Sequence, residues 1–533
     1  MNYKALKKDD LYHLLAARFD KTPSKLKDIP SPELLLNANK AVTRLAKAIT
    51  NNEKIALVGD YDVDGVSSTS ITTLFFREIN YPLEVIIPNR FTDGYGVSAS
   101  IIERLAPDTS VIFTVDNGIA AFEAAEICTS RNIDLIITDH HTPAKDLPDA
   151  FTIVDPKLHE CEYPFKEICG AQVIWLLLGL LKKELNLKVD MKQYLPILAL
   201  AIIADVMPLV GINRTLVQHG LKMMGTSSLP AFVLIREFLN KTKLSSEDIG
   251  FQIAPRLNAA GRLEDASIAL EFLTAPTEDK AYSQFELLNK LNDARKATEA
   301  DVSELALDQV SENDKVLVVS GEHWHEGVVG IVASRLVNAY EKPTIVLSIH
   351  EKEGKMIAKG SGRSLGDVNL YDLLATQRPL LDKFGGHMMA AGLSLDVENI
   401  ESLKKGLNEE ANKLPDSAFI PKEEIMGSLS GDDIDLELLD LIEQFEPYGE
   451  ANPRPRFMVE NAEVVSVQPL GKEKLHSKLS LRFAQHERKT HDLLAFRQQL
   501  SMPSSRSMSC SYTLNKNEFN GRVSVQLMLE RIY

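Results

Sequence analysis

Five short apolar runs between about residues 40 and 210 constrain the fold of this chain more than any other feature of its sequence. Each ends in a polar turn, and helix-like stretches such as VSSTSITTLFFREI lie between them. The runs are KIALVGD, LEVIIPN, VIFTVDNG, LIITDHH and FTIVDP. Short buried strands that alternate with helices are typical of a parallel sheet with helices on both faces. Because such sheets bind ligands at the carboxyl ends of their strands, we expect a functional site where the polar turns meet.

The remainder of the chain predicts three further parts, since 533 residues are too many for one hydrophobic core. The stretch from Glu278 to Lys315 contains no glycine or proline and keeps a helical period, which predicts a long connecting helix. A second α/β pattern follows, with the strands KVLVVSG and PTIVLSI. After about Ile425, short alternating strands predict a small antiparallel β domain of the OB-barrel type. The predicted fold is therefore α/β, with a parallel-sheet domain at 1–277, the long helix at 278–315, a second α/β domain at 316–424 and the barrel at 425–533.

Composition and cysteine usage indicate a cytoplasmic globular protein. Hydrophobic residues make up 44% and charged residues 25% of the chain, as in ordinary soluble domains. The amino-terminal MNYKALKKDD lacks the apolar core of a signal peptide. The run VIWLLLGLL is too short to span a bilayer, and YLPILALAIIADVMPLV is interrupted by Pro196 and Asp205. The four cysteines have no CxxC spacing and are expected to be reduced thiols.

Charge is distributed unevenly along the chain. The net charge is −16, which argues mildly against a polyanionic partner. From Arg454 to Tyr533, however, there are 13 lysines and arginines against 7 aspartates and glutamates, a local net charge of +6. A local basic segment is what matters for phosphate binding, although a solvated basic surface would give the same count.

The turn after the first predicted strand, VGDYDVDG, carries three carboxylates within five positions. Asp60, Asp62 and Asp64 repel one another at this spacing. A bound cation would neutralise the repulsion, so these three acids, the opening triplet, predict a metal site. A single aspartate at a strand end would more often be a helix N-cap.

Further acids and histidines follow other elements of the same region. Asp116 lies in TVDNG, His140 lies in TDHH at the end of the fourth strand, and Asp205 closes an otherwise apolar helix. At successive strand ends of one sheet, these side chains are expected to converge on one crevice. Carboxylates with one or two imidazoles suit Mn²⁺ and Mg²⁺, and two such ions are the usual apparatus of phosphoryl hydrolysis. The predicted ligands of two ions are Asp60, Asp62, Asp64, Asp116, His140 and Asp205.

The motifs GDYDVDG, TVDNG, TDHH and ADVMP, in this order, resemble those of the DHH phosphoesterase superfamily. Within it, PNRFTDGYG, QIAPRLNAAGRLEDAS, WHEGVVGIVASRL, SGRS and FGGHMMAAG are similar to motifs of the RecJ family of bacterial single-stranded-DNA-specific exonucleases. EPYGEANPRPRF resembles the entry to the OB domain of that family, so the resemblance spans nearly the whole chain. It implies a DHH domain, a DHHA1-type nucleic-acid-binding domain and an OB domain. It also implies 5′→3′ removal of nucleotides from single strands with Mn²⁺ or Mg²⁺, in DNA repair and recombination.

The resemblance further implies the catalytic set Asp116, Asp139 and His141. Asp116 would bridge the two ions. His141 would lie nearest the scissile phosphate, as a hydrogen-bond donor or as an acid.

Within the opening triplet, the resemblance favours Asp62 and Asp64 over Asp60 as direct ligands. Some relatives carry a histidine where this chain has Val58. That potential ligand is missing here, so a carboxylate or water is expected to complete the coordination.

Arginines beside glycine, asparagine or proline, in apparent loops, are predicted to hold the strand, because arginine binds phosphate through paired N–H groups. Arg262, Ser361 and Arg363 form the predicted site for the 5′-terminal phosphate, with salt bridges and a helix cap as the alternatives. Tyr95 would stack on a base, or else it packs against the protein. The complete predicted set is Arg90, Tyr95, Arg256, Arg262, Ser361, Arg363 and His387.

Two other groups of residues could bind a metal or DNA. The segment HWHEGVVGIVASRL contains His323 and His325, but the helical run after them and the lack of an evident third ligand argue against a metal site. Basic residues of the tail, the segment from Arg454 to Tyr533, are expected to follow the DNA backbone. They are Lys472, Lys474, Lys478, Arg482, Arg488 and Lys489.

Two other functions are compatible with these motifs. A phosphoesterase of the same superfamily that cuts short oligonucleotides or cyclic dinucleotides would need neither the OB-type domain nor this length. A non-catalytic DNA-binding scaffold would predict eroded metal ligands, whereas every expected ligand except the optional one at Val58 is present. The partners implied by the resemblance are single-stranded DNA with a 5′ end, a single-strand-binding protein and a helicase. Three tethered domains around one cleft need no second chain, so we expect a monomer.

Overall fold

The structure is a computed structural model, and it describes residues 3–19, 22–23, 25–352, 354–471, 474–483, 489–519 and 521–533. It divides into two compact units. Unit 1 comprises residues 1–86, 96–254 and 424–533, and unit 2 comprises residues 87–95 and 255–423. The domain boundaries expected after residues 277, 315 and 424 stay a prediction.

The elements follow one another in three stretches of the chain. The first stretch contains α1 (Lys8–Ala16), α2 (Ala38–Thr50), β1 (Lys54–Val58), α3 (Val63–Glu78), β2 (Glu84–Ile86), α4 (Ala99–Arg104), β3 (Thr109–Thr114), α5 (Phe122–Ser130), β4 (Asp134–Thr138), β5 (Thr152–Val154), α6 (Gly170–Glu184), α7 (Leu195–Ala204), α8 (Gly211–Met224), α9 (Pro230–Leu239) and α10 (Ser246–Asp248). After a π-helical turn at Ile249–Ile253 come α11 (Ala254–Leu263), α12 (Ser267–Leu273), α13 (Glu278–Leu307), β6 (Leu317–Glu322), α14 (Val329–Tyr340), β7 (Thr344–Lys352), β8 (Lys355–Arg363), α15 (Leu370–Thr376), β9 (Lys383–Gly386), β10 (Ala390–Asp396) and α16 (Ile400–Ala411). The last stretch contains β11 (Ile425–Ser428), α17 (Leu436–Glu443), β12 (Arg456–Leu470), β13 (His476–Arg482), β14 (His491–Ala495), β15 (Ser507–Phe519) and β16 (Arg522–Ile532).

The predicted parallel sheet is present in unit 1. Its strand order is β2-β1-β3-β4-β5, and all four pairings are parallel. The apolar residues of β1, β3 and β4 are buried, as expected for strands that are covered on both faces. Helix α7 is apolar on all sides and is buried along almost its whole length, which makes it a core helix. The carboxyl ends of β1, β3, β4 and β5 therefore meet at one edge of the sheet.

The barrel predicted at the end of the chain is also present in unit 1. Strand β12 pairs with both β13 and β15, so that β12-β13-β14-β16-β15 closes into a five-stranded barrel. The prediction that this domain is antiparallel is wrong in part. Strand β11 runs parallel to β12, and within the barrel β14 runs parallel to β16. Leu11 and Leu15 of α1 belong to the same apolar cluster as Phe457 and Tyr512 of the barrel. The amino-terminal helix is thus part of the core of this barrel.

Unit 2 contains a second sheet with the order β6-β7-β8-β10-β9. Strands β6 and β7 are parallel, whereas the other three pairings are antiparallel, so the sheet is mixed. Helix α13 runs for 30 residues but ends at Leu307 rather than at Lys315. The polar residues Ser311–Asp314 form turns after it, since such side chains compete with the helix for backbone hydrogen bonds.

Two further findings concern the helices and the cysteines. No helix in the part of the chain that the structure describes combines the length and the apolar character needed to cross a bilayer. All four cysteines are buried and free of disulfide bonds.

Candidate metal centre and nucleic-acid site

The turn between β1 and α3 places the three carboxylates of the opening triplet. Asp62 caps α3, and its Oδ1 accepts the backbone N–H of Gly65 at 3.0 Å. Asp60 and Asp64 are both about 2% exposed. A Cβ on Gly65 would lie 2.5 Å from the Cβ of Asp60, so the tightness of this turn requires glycine. The local sequence therefore turns the acids inward instead of leaving them in solvent.

The amino terminus of α6 binds one of these acids. The backbone N–H groups of Gly170 and Ala171 donate to the two carboxylate oxygens of Asp64, at 2.6 and 2.9 Å. Unpaired N–H groups and the helix dipole both favour a negative charge at this position. A Cβ on Gly170 would lie 2.5 Å from the Cβ of Asp116, so glycine also admits the second acid to this point.

Asp116 lies just beyond β3 in a left-handed backbone conformation, with φ of 64°. Few residues other than glycine adopt this conformation, and such strain often accompanies function. The neighbouring Asn117 holds the turn, because its Nδ2 donates to the carbonyls of Val58 and Val115 and its Oδ1 accepts the N–H of Val97. Val58 is fully buried and contributes its backbone carbonyl to this turn.

The loop after β4 supplies the two histidines. Asp139 is fully buried, and its Oδ1 accepts the backbone N–H groups of His140 and His141 and lies 2.7 Å from Nδ1 of His141. Its Oδ2 accepts the N–H of Ile119 at 2.9 Å. Asp139 therefore orients the loop and the ring of His141.

His140 lies at the centre of the acids. Its Nε2 is 3.1 Å from Oδ1 of Asp116, 3.6 Å from Oδ2 of Asp64 and 3.7 Å from Oδ2 of Asp205. Asp205 is the C-cap of α7, where the sequence predicted it. The structure brings the predicted ligands together in three overlapping groups, within each of which the ligand atoms lie within 4.8 Å of one another. The groups are Asp116, His140 and His141; Asp64, His140 and Asp205; and Asp60, Asp62 and Asp116.

Burial and mutual repulsion change the protonation of this centre. Burial, followed by the charge of Asp64 and the other acids, raises the pKa of Asp116 well above its usual range. The same causes raise the pKa of Asp205 to about 9, and that of Asp62 is also raised. Burial lowers the pKa of His140. Without cations, the centre therefore retains protons on its carboxyl groups.

The two histidines differ in charge. Burial alone would lower the pKa of His141, but its contact with Asp139 and the surrounding carboxylates outweigh burial and raise the pKa to about 9. The pKa of Asp139 is lowered: burial opposes ionisation, but the contact with His141 outweighs it. His141 is accordingly a half-exposed cation beside the acids, suited to contact a phosphate oxygen.

The residues fit divalent metal ions. Several buried carboxylates face one neutral imidazole, a donor set that suits Mn²⁺ and Mg²⁺. Oδ2 of Asp205 is buried and has no hydrogen-bond partner in the described structure, although a carboxylate oxygen rarely stays so without a ligand. Metal cations bound in place of the carboxyl protons would neutralise the carboxylates and give Oδ2 of Asp205 a partner.

Four residues near the centre were not identified from the sequence. Asn117 and Gly170 could have been suspected from their places beside the motifs. Asp155 directly follows β5, and its acid at a strand end is a signal of the same kind as those of the predicted ligands. Lys157 follows it, and its positive charge acts on His140, Asp155 and Asp205.

A second group of predicted residues lies in unit 2, around the amino terminus of α14. Nη1 of Arg363 donates to Oγ of Ser361 at 2.7 Å and to the carbonyl of Gly362 at 2.8 Å. A Cβ on Gly330, in the first turn of α14, would lie 3.0 Å from Nη2 of Arg363 and 3.2 Å from Oγ of Ser361. Burial lowers the pKa of Arg363, which has no carboxylate partner among the described residues. A partly buried cation beside a helix amino terminus is suited to an anion.

The motif HWHEGVVG lies against the same helix end. Nη1 of Arg262 donates to the carbonyl of Gly327 at 3.0 Å. His325 accepts the N–H of Gly327 through Nδ1, and its ring packs edge-on against Phe91. Helix α14 is the helical run expected after this motif.

The other predicted DNA-binding residues are placed less uniformly. Arg90 lies in a turn and Tyr95 is 51% exposed, whereas His387 lies in the exposed turn between β9 and β10. Arg256 donates through Nε to Oδ1 of Asn289, so its guanidinium is anchored to α13.

The expectation that the arginines lie in loops is wrong for three of them. Arg256 and Arg262 belong to α11, and Arg363 ends β8. Glycine and proline beside these residues indicated loops, but the tertiary packing of α11 and β8 overrides these local signals.

The basic residues of the tail are mostly engaged within the protein. Lys478 pairs with Asp492 and Arg482 pairs with Glu463, while Nζ of Lys489 donates to the carbonyl of Ile434. Lys474 is exposed. The remaining two, Lys472 and Arg488, lie outside the described residues.

Comparison with known proteins identifies the family. Residues 54–202 match the DHH family N-terminal domain, residues 313–413 match the DHHA1 domain and residues 425–531 match the RecJ OB domain. The single-stranded-DNA-specific exonuclease RecJ of Dickeya dadantii is 32% identical, over 94% of this chain and 91% of that protein. The chain belongs to the RecJ family.

A second RecJ relative, from Bacillus subtilis, is 37% identical over 94% of this chain. The chain spans 64% of the length of that relative, so the Bacillus protein is longer. Among solved structures, RecJ from Thermus thermophilus in complex with Mn²⁺ is 28% identical to this chain, with a TM-score of 0.83. The match covers 99% of this chain and 76% of the Thermus chain. A structure of the same Thermus RecJ with Mg²⁺ gives a TM-score of 0.77 at 27% identity, covering 98% of this chain and 74% of its own.

Proposed function

We propose that this chain removes nucleotides from the 5′ end of single-stranded DNA by hydrolysis of phosphodiester bonds at two divalent metal ions. As a member of the RecJ family, it is a metal-dependent exonuclease that acts on single-stranded DNA. The direction of cleavage and the roles of individual residues belong to the proposal. The observation that carries it is the convergence of Asp64, Asp116 and Asp205 on His140 at the carboxyl edge of the sheet.

Two ions, Mn²⁺ or Mg²⁺, would be held by Asp60, Asp62, Asp64, Asp116, His140 and Asp205. When bound, they supply Lewis-acid activation of the attacking water and neutralise charge on the phosphate. Asp116 would help to hold both ions, because it is the one carboxylate that belongs to two of the three ligand groups found among the described residues. Two of those groups contain acids of the opening triplet, so this centre has donors for two ions.

His141 is proposed to donate a hydrogen bond or a proton to the scissile phosphate. Asp139 fixes the ring of His141 through Nδ1, and a ligand atom of His141 lies within 4.8 Å of those of Asp116 and His140, beside the metal centre. Because the pKa of His141 is raised to about 9, the ring carries its proton at neutral pH. A cationic donor is suited to the charge that develops on phosphate oxygens.

The 5′-terminal phosphate is proposed to bind at Arg262, Ser361 and Arg363. The absence of a carboxylate partner for Arg363 within the described structure and the adjacent amino terminus of α14 support this assignment. We assign Arg90, Arg256 and His387 to the backbone of the strand, and Tyr95 to a base.

Digestion of a single strand labelled at its 3′ end, with Mn²⁺ or with chelator and beside its duplex, tests the function. Stepwise shortening from the 5′ end, on the single strand and only with metal, is the expected result. Cutting confined to dinucleotides would instead indicate a small-molecule phosphoesterase, and binding without cutting would indicate a scaffold.

In the variant Asp116→Ala we expect a loss of cleavage of at least about a thousandfold, with single-strand binding retained. Wild-type activity in this variant would remove Asp116 from the centre.

We further propose that the protein acts as a cytoplasmic monomer in DNA repair and recombination, together with a single-strand-binding protein and a helicase. Four buried, unpaired cysteines support a reducing compartment. Light scattering with the purified chain would test the monomer, and pull-downs with each partner would test the two interactions.

A further inference from the structure

Phe251 is the most exposed large apolar side chain in the described part of this protein, with 81% of its surface accessible. It lies in the π-helical turn Ile249–Ile253, whose first and last residues are buried. Such turns are rare and are frequently found at functional sites. Because Ile249 and Ile253 anchor the turn, the ring of Phe251 is held towards solvent by a fixed backbone.

This turn packs against α7, the helix that carries a metal ligand. A Cβ on Gly250 would lie 3.6 Å from Cγ2 of Ile203, which precedes Asp205 by two residues. Val206, directly after Asp205, is 63% exposed and has a φ of 54°. A β-branched residue rarely adopts this conformation. Two exposed apolar side chains are thus held at the end of α7 that carries the acid.

An exposed ring contributes little to the core, so packing does not account for Phe251. Aromatic rings stack on nucleobases irrespective of sequence, because every base has a π face. Inside a duplex each base is already stacked on both faces. A ring near the metal centre would therefore favour unpaired bases, which phosphate contacts alone cannot select.

We propose that Phe251 stacks on a base of the single strand while the strand is bound at the metal centre. This inference rests on the proposed function, since it assumes that single-stranded DNA is the ligand. Phe251 would then be a specificity-determining residue for unpaired DNA. Val206 would line the apolar side of the same base site.

The test compares the affinities of Phe251→Ala and Phe251→Trp for an oligothymidine, measured by fluorescence anisotropy in chelator. We expect Phe251→Ala to weaken binding about five- to a hundredfold and Phe251→Trp to retain it. Phe238→Ala is the matched control, because Phe238 is also exposed, at 41%, near the end of α9. Unchanged affinity in Phe251→Ala, or an equal loss in the control, would overturn the proposal and leave a protein-docking role for the ring.

A second measurement uses an oligonucleotide with abasic sites near its 5′ end. If Phe251 stacks on a base, wild-type affinity for the abasic strand should fall to that of Phe251→Ala, and the variant should lose nothing further. Additive losses would contradict stacking. Because these readouts are affinities without metal, they separate this inference from the proposed function. If the protein binds DNA without cutting it, the proposed function is wrong, but the affinities still show whether Phe251 stacks on a base.

Discussion

Asp155 follows β5 directly and is fully buried. Its Oδ1 accepts the backbone N–H of Lys157 at 2.7 Å, while its Oδ2 has no hydrogen-bond partner within the described ranges. Burial raises the pKa of this carboxyl group to about 7; the bond from Lys157 opposes the shift and the charge of Asp139 adds to it. In an unfolded chain an aspartate has a pKa of about 4. Between about pH 4 and 7, the unfolded chain loses a proton that the folded protein keeps, so folding stability falls as pH rises and then levels off.

Asp155→Asn should therefore stabilise the protein at pH 8 and have little effect near pH 4. Asparagine keeps the oxygen that accepts the Lys157 N–H but carries no charge, so the expected gain at pH 8 is about 1–4 kcal/mol. Thermal melts of both proteins at the two pH values measure the effect. Asp149→Asn, at an exposed site in the loop before β5, is the control and should change neither melt. A gain of equal size at both pH values would rule out the titration of Asp155 as its cause.

At the scale of elements, the amino terminus of α6 links two acids of the metal centre. Gly170→Ala should displace Asp116, because the new Cβ would overlap its side chain. We expect weaker Mn²⁺ binding, seen as a smaller rise of melting temperature with added Mn²⁺, and a loss of cleavage of about tenfold or more. Gly179→Ala in the same helix is the control, since a Cβ there has no heavy atom within 4 Å. Equal behaviour of the two variants would show that the contact does not position Asp116.

The amino terminus of α14 gives a second prediction at this scale. Arg363→Ala should reduce the preference for a 5′-phosphorylated over a 5′-hydroxyl strand about tenfold, because it removes a guanidinium beside Ser361 that has no carboxylate partner among the described residues. The ratio of kcat/KM on the two substrates measures it. Arg335→Ala is the control, because Arg335 lies in the same helix but pairs with Glu299. If the ratio in Arg363→Ala equals that of wild type, the phosphate lies elsewhere.

The sequence alone predicted elements better than the contacts between them. Apolar runs locate β1, β3, β4 and β5, and parallel strands must end at one edge, so the acids could be placed together. The places of Arg262 and Arg363 could not be predicted in this way, because the glycines and proline near them favour loops, whereas Arg262 lies in α11 and β8 is held by hydrogen bonds to β7 and β10. Nothing near Asp155 distinguishes it from an ordinary N-cap, since its altered pKa arises from burial in the folded protein.

At the scale of the whole molecule, the barrel cannot be removed cleanly. Leu11 and Leu15 pack into its core, and the N–H of Leu6 donates to the carbonyl of Ser428 at 2.9 Å. A deletion after about Ile425 would expose these residues to water and destabilise unit 1. The role of the barrel in DNA binding is therefore better tested by surface charges than by truncation.

One end of the β13–β14 pair combines basic and aromatic side chains. Lys474 and Arg497 are exposed there, and the backbone N–H of Arg497 donates to Nδ1 of His476 at 2.7 Å. The ring of Phe496 is 52% exposed and packs edge-on against that of His476. Exposed cations beside an exposed ring are typical of surfaces that bind single strands. Lys478, in contrast, already pairs with Asp492.

Lys474→Gln combined with Arg497→Gln should weaken single-strand binding and make it less sensitive to salt. Each lost phosphate contact should reduce the slope of log K against log [salt] by about 0.7, so the double variant should lose about 1.4. Titrations of a labelled oligonucleotide at several salt concentrations give both slopes. Lys478→Gln should change the slope less, because its charge is already compensated within the protein. If the double variant keeps the wild-type slope, these two cations do not contact the backbone, and the net positive charge of the barrel is solvated surface rather than part of the path of the strand.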